Sequence, residues 1–204
     1  MILGVTPKCA RAIDVVGKLA HECGLFLIID GLAARIAVES WLGCAAGNGK
    51  VLDCGIGITD DSVVRAVLAE APDGIAILDA NLSPLDVYAR PLIDAVQRRL
   101  SGSVRTASAT KMLMSLSSGV ASLPVPTVVE SLSLTVSLDR IPTFMQESDV
   151  ASLLEEMASS DEEVGWLKRI WKPARAQLLN HFRSMPLDDA ALALSAIAAA
   201  RTDA

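Results

Sequence analysis

Three carboxylates in this sequence sit at the ends of short apolar runs: Asp30 after "LFLII", Asp53 within "KVLDCG" and Asp79 after "GIAIL". Runs of this kind read as buried strands, and open parallel sheets bind ligands beyond the carboxyl ends of their strands. Strands at 26–30 and 75–79, if adjacent, bring Asp30 and Asp79 to one edge. Two clustered carboxylates make a hard oxygen site suited to Mg²⁺. The ion would neutralise a phosphoryl group moving onto Asp79, with the carboxylate as nucleophile. The alternative is that each Asp only ends its strand or caps the helix that follows. Turn formers follow Asp79 directly: Asn81, Ser83 and Pro84.

The elements that must position these acids alternate along the first 125 residues. Ile2 to Val5 is a short apolar run. Pro7 opens a helix with Ala12, Val15, Val16 and Leu19 on one face, and Gly24 ends it. Leu25 to Ile29 is continuously apolar, the mark of a strand buried on both faces. Ile36, Val38, Trp41 and Leu42 fit the next helix, and Ala46-Gly47-Asn48-Gly49 is a loop. Lys50 to Cys54 is a strand. Asp60-Asp61-Ser62 caps a helix carrying Val63, Val64, Val67 and Leu68. Ile75 to Leu78 is another strand, and Leu92, Ile93, Val96 and Leu100 lie at helical spacing. The stretch from Ser103 to Thr110 reads as a further strand.

From Val128 to Leu138 the periods of a strand and of a helix both fit, and periodicity does not decide between them. Beyond Ser148 the pattern is helical, with a stripe at Val150, Leu153, Leu154 and Met157, a capping box at Ser160-x-x-Glu163, and Pro173 and Pro186 as breaks. The alternation predicts parallel βαβ units, hence a doubly wound parallel five-stranded α/β sheet with a helical C-terminal extension. A boundary is expected near residue 140.

Composition agrees. Of 204 residues 51% are hydrophobic and only 3% aromatic, so the core must be built from Ala, Val, Leu and Ile. Net charge is −6, which argues against nucleic acid as a partner, since its binding needs a dense cationic surface. The cysteines Cys9, Cys23, Cys44 and Cys54 form no C-x-x-C pair and read as free thiols in a reducing cytoplasm. No apolar stretch approaches the roughly 20 residues that span a bilayer, and no signal peptide is evident. A soluble, cytoplasmic protein with no membrane partner is expected.

Residues 25 to about 127 resemble a response-regulator receiver domain, a flavodoxin-like and more broadly Rossmann-like fold. "LFLIID" resembles the family's first strand with its acidic end, and "GLAARIAVESWLGCA" its first helix. "RAVLAEAPDGIAILDANLSP" resembles the third strand and the phosphoacceptor turn, "DVYARPLIDAVQRR" the helix after it, and "SVRTASAT" the fourth strand. The resemblance implies a receiver-like domain over 25–139, preceded by an extension over 1–24 and followed by a helical segment over 140–204. It implies Asp79 as phosphoacceptor, Asp30 and Asp79 as Mg²⁺ ligands, and Asn81 offering the metal a backbone carbonyl. Thr110 or Ser108 would be the hydroxyl that senses the phosphoryl group. A histidine kinase or phosphotransfer protein would be the donor. A protein partner, or a second copy in a homodimer, would bind the C-terminal helices.

Two positions depart from the family. Ile29 precedes a lone Asp30 where two acids are usual, and Val125 in Leu123-Pro124-Val125-Pro126 stands where the family has lysine. Loss of that cation removes a charge-assisted hydrogen bond of about 1.5–3 kcal/mol. A degenerate receiver serving as a non-enzymatic interaction module is therefore part of the expectation.

A second resemblance competes. "KVLDCGIGITDDSVV" is similar to the first motif of class I methyltransferases, which implies S-adenosylmethionine held by Asp53, Gly55 and Gly57, with Asp79 on its ribose. Two glycines in an ordinary strand-to-helix turn are the simpler account. A third reading is a non-catalytic scaffold that binds through its helical tail. His21 and His181 are isolated, Lys168, Lys172 and Arg175 share a helix face, and Trp166 and Trp171 are expected to anchor that helix.

Overall fold

The computed structural model describes residues 5–102, 110–140, 145–159 and 165–200. Helix α1 (Pro7–Glu22) begins at an N-cap, Thr6, whose hydroxyl accepts from the Cys9 amide at 3.3 Å, and Pro7 supplies the fixed φ of a first helical turn. It leads into β1 (Phe26–Asp30), α2 (Ala34–Ala45), β2 (Gly49–Asp53), α3 (Ser62–Ala69) and β3 (Gly74–Leu78). A 3-10 turn at Ala80–Leu82 and helices α4 (Leu85–Tyr88) and α5 (Arg90–Leu100) follow, then β4 (Lys111–Ser115), α6 (Thr127–Ser131) and β5 (Ser133–Ser137). The C-terminal part holds α7 (Glu147–Ser159), α8 (Lys172–Ser184) and α9 (Leu187–Ala200).

All strand pairs are parallel, and the sheet order is β2-β3-β4-β1-β5. The doubly wound parallel five-stranded sheet with C-terminal helices is as the alternation predicts. Its order puts β4 between β1 and β3, whereas the 2-1-3-4-5 order of flavodoxin-like sheets makes the first and third strands neighbours. Strand β4 at Lys111–Ser115 follows the stretch at 103–110 where a strand is expected; residues 103–109 are outside the described residues, as are the run at Ile2–Gly4 and the capping box at 160–163. The ambiguous stretch at 128–138 contains both elements in succession, the one-turn helix α6 and then β5, which is why neither period prevailed.

Side chains alternate across the sheet. Leu27, Ile29, Ala76, Leu78, Leu113, Leu134 and Val136 point to one face, and Phe26, Ile28, Ile75, Ile77, Met112 and Met114 to the other. Helices α1, α2 and α9 cover the first face, and α3, α4 and α5 the second. The boundary expected near residue 140 is not a seam in the packing. Val150, Leu178 and Ile197 share one apolar cluster with Ile13, Val16 and Leu27. The Arg11 guanidinium ties α1 to α9 through Asp188 (2.6 Å) and Asp189 (2.8 Å). Cys23 and Cys54 are buried, and Cys44 is exposed. Among the described residues no helix is long and apolar enough to cross a membrane.

Candidate functional site

The connection leaving β1 runs to α2 on one face of the sheet, while the connection leaving its neighbour β4 runs to α6, which packs on the other. Adjacent strands whose exits diverge in this way form a topological switch point, the usual ligand crevice of doubly wound sheets. A cavity of about 140 Å³ opens here, lined by Ile28 and Asp30 of β1, Leu116 beyond β4, Val125, Glu130, Thr135, Arg169 and Ala200. Val125 thus faces this crevice with an isopropyl group where the receiver resemblance calls for an ammonium. The cavity is well below the roughly 300 Å³ at which pockets for drug-sized ligands begin. The turn from β1 to α2 is only Gly31-Leu32-Ala33, with one glycine and no lysine, so it lacks the composition of a phosphate-cradling loop.

Asp30, Asp53 and Asp79 all lie on the rim formed by the carboxyl ends of the strands. Asp30 and Asp79 are not on adjacent strands, however. With β4 between, their backbones stand two strand spacings apart, roughly 9–10 Å. The Asp30 carboxylate accepts from the Gly31 amide at 2.8 Å. No group of three or more His, Cys, Asp or Glu side chains suited to a metal occurs among the described residues.

What holds Asp79 is a cation that sequence reasoning missed. Arg35, in the first turn of α2, donates from Nη1 to Asp79 Oδ2 at 2.9 Å and to Asp53 Oδ1 at 3.0 Å, and from Nη2 to Asp53 Oδ2 at 2.5 Å. The guanidinium fork is bidentate on Asp53 and shares one arm with Asp79. The hydrogen bond from Arg35 holds the Asp53 carboxyl below the usual carboxylate range, and both acids raise the guanidinium. The signal was present: Arg35 is the sole cation in the connections that leave β1, β2 and β3 before their next helices are under way.

The turn after β3 works as the organiser of the rim. Asp79 adopts φ 51° and ψ 43°, a left-handed conformation that Asp tolerates better than most residues but that still costs about 1 kcal/mol. That geometry aims its amide at the buried hydroxyl of Ser115, 2.8 Å away at the end of β4. The Ala80 carbonyl accepts from the buried Tyr88 hydroxyl at 2.7 Å. The Asn81 side chain, 6% exposed, donates to the carbonyls of Ser117 (3.0 Å) and Leu123 (3.2 Å) and accepts from the Ser117 amide at 2.7 Å. Ser83 donates to the Gly55 carbonyl at 2.7 Å and accepts from the Ile58 amide at 2.9 Å. Residues 79–83 therefore clamp the loops after β2 and β4 on either side.

The remaining expected site residues fall as follows. The Asn81 carbonyl, expected to face a metal, accepts from the Leu123 amide at 2.8 Å. Thr110 precedes β4 and lies at the opposite end of the sheet from Asp79, where its hydroxyl donates to the Pro72 carbonyl at 3.0 Å. The expectation that Thr110 faces Asp79 is corrected accordingly. Because β4 begins at Lys111, the hydroxyl beside Asp79 is Ser115. Ser108 lies outside the described residues. Gly55 faces open space and Gly57 has φ 87°, but β2 is an edge strand and its Asp53 is engaged by Arg35. The chain matches no protein-family model and no curated protein.

Proposed function

We propose that this protein is a non-enzymatic interaction module, in line with the degenerate form of the receiver resemblance, and that its rim presents loops to a partner protein. The observation that carries this reading is the Arg35 bridge. It occupies the Asp79 carboxylate with a protein cation, and a carboxylate so paired is a poorer nucleophile and a poorer metal ligand than a free one. Three further features support it. Val125 supplies no charge to a phosphoryl group, Ser115 already accepts from the Asp79 amide, and residues 79–83 are committed to bracing neighbouring loops.

Incubation with acetyl phosphate and Mg²⁺, followed by intact mass measurement, tests the reading. No mass gain is expected for the wild type. A gain of one phosphoryl group on the wild type that disappears in Asp79→Asn would overturn it in favour of a phosphoaccepting receiver.

A further inference from the structure

The connections leaving the five strands at the rim carry an unusual pairing of apolar exposure with negative charge. Leu32 is 90% exposed and Ile56 74%; Val120 and Leu123 in the loop after β4, and Ile36 in the first turn of α2, are exposed as well. Large apolar side chains held in water on several adjoining loops mark an interaction surface. The same connections, residues 30–35, 53–61, 79–86, 116–126 and 138–140, contain seven carboxylates (Asp30, Asp53, Asp60, Asp61, Asp79, Asp86 and Asp139) and two cations (Arg35 and Arg140). Arg35 is spent on Asp53 and Asp79, Arg140 donates to the Ala199 carbonyl at 3.1 Å, Arg65 of α3 reaches back to Asp61 at 2.7 Å, and Arg169 lines the cavity beside Asp30, which still leaves the rim acidic.

Charge decides between the occupants such a surface could take. Nucleic acid and anionic lipid would meet like charge. A second copy docked rim to rim would set one net acidic surface against another. A protein segment that alternates apolar and basic side chains meets both features at once. From β2 to β5 the rim spans four strand spacings, roughly 19 Å, which is the length of a helix of about 13 residues. Resting on the interaction-module reading above, we infer that the rim docks a basic amphipathic helix of a partner protein. Its apolar face lies on Leu32, Ile56 and Val120, and its lysines or arginines lie against Asp30, Asp60, Asp86 and Asp139. The recognition is that of a helix laid across apolar anchors with flanking ion pairs.

The test uses the full chain and a fluorescein-labelled 14-residue amphipathic helix of leucine and lysine, followed by anisotropy. Saturable binding that weakens as salt rises is expected. Leu32→Ser together with Ile56→Ser should weaken it by about tenfold or more, since each removes an apolar anchor. Cys44→Ser, at the far end of α2, should leave it unchanged. Asp86→Asn should lower both the affinity and its salt dependence. All of these side chains but Cys44 lie on the rim and none is in the core, so melting temperature serves as the check on folding. Equal binding by wild type and the Leu32/Ile56 variant would overturn the inference. So would tighter binding of a leucine–glutamate peptide or of phosphatidylserine vesicles, or self-association in sedimentation that the double variant abolishes. None of these outcomes touches the acetyl phosphate result, so failure here and failure of the interaction-module reading are separable.

Discussion

Replacing Asn81 by Ala would remove the side-chain tie between the turn after β3 and the loop after β4, leaving the Asn81 carbonyl's bond from the Leu123 amide. The substitution deletes three hydrogen bonds, two donated to the carbonyls of Ser117 and Leu123 and one accepted from the Ser117 amide. Each is worth a net 0.5–1.5 kcal/mol, so the full set gives roughly 1.5–4.5 kcal/mol. Ser117 is half-buried and Leu123 exposed, so water recovers part of that, and a loss of about 2–3 kcal/mol is expected. For a chain of this size each kcal/mol moves Tm by roughly 2–4 °C. Thermal unfolding followed by circular dichroism should therefore show a fall of roughly 4–12 °C. Hydrogen exchange should accelerate at the Ser117 amide and not at the amides of β1. Asn81→Asp offers a second probe. It keeps an acceptor for the Ser117 amide but points a charge at two carbonyls, so it should be at least as destabilising at neutral pH and recover as the carboxyl protonates. A Tm within about 2 °C of wild type for Asn81→Ala would show that these bonds do not hold the rim together, and the account of residues 79–83 as its organiser would fall.

Gly17 in α1 packs against the indole of Trp41, where an added Cβ would stand 2.7 Å from the ring. Trp41 is buried and cannot swing away, so Gly17→Ala should lower Tm despite a helix-propensity gain of about 1 kcal/mol, because overpacking costs roughly 1–3 kcal/mol; a rise in Tm refutes the contact. Burial, and then the nearby Lys111 and Arg99 cations against an opposing Glu22, hold the His21 pKa below its ordinary 6.5. The unfolded chain then binds a proton at higher pH than the folded one, so stability is complete above about pH 6.5 and declines as pH falls toward the folded value. Tm should drop between pH 7.5 and 5.5 by more in wild type than in His21→Gln, and identical slopes would contradict the burial of this imidazole.

The sequence made the strands at 26–30 and 74–78 readable because each is an apolar run closed by Asp, and the edge strand at 49–53 readable from its flanking glycine turns and its own terminal Asp, patterns local to a few residues. It did not make their order readable. Order depends on which distant strand each one meets, and nothing in "LFLIID" distinguishes β4 from β3 as its neighbour. The strand at 111–115 went unread for a different reason: "SVRTASAT" alternates like a half-buried strand and drew the reading away from "KMLMS", a short apolar run of the fully buried type just beyond it. Asp79 was recognisable as a strand-end carboxylate, but its partner was not, since Arg35 and Asp79 stand 44 residues apart and meet only because α2 starts at the same rim. Asn81 and Ser83 were legible as turn formers. Their ties to Ser117 and Gly55 are tertiary and left no local trace.

The placement of β1 in this sheet bears on how the protein is made. A strand complete at residue 30 is flanked in sequence by α1 and α2, the helices that pack on it, but finds its two strand partners only when residues 111–115 and 133–137 have been synthesised. A nascent chain therefore carries the backbone edges of Phe26–Ile29 unpaired until residues 111–115 and 133–137 have been made, within reach of chaperones and of other unfinished chains.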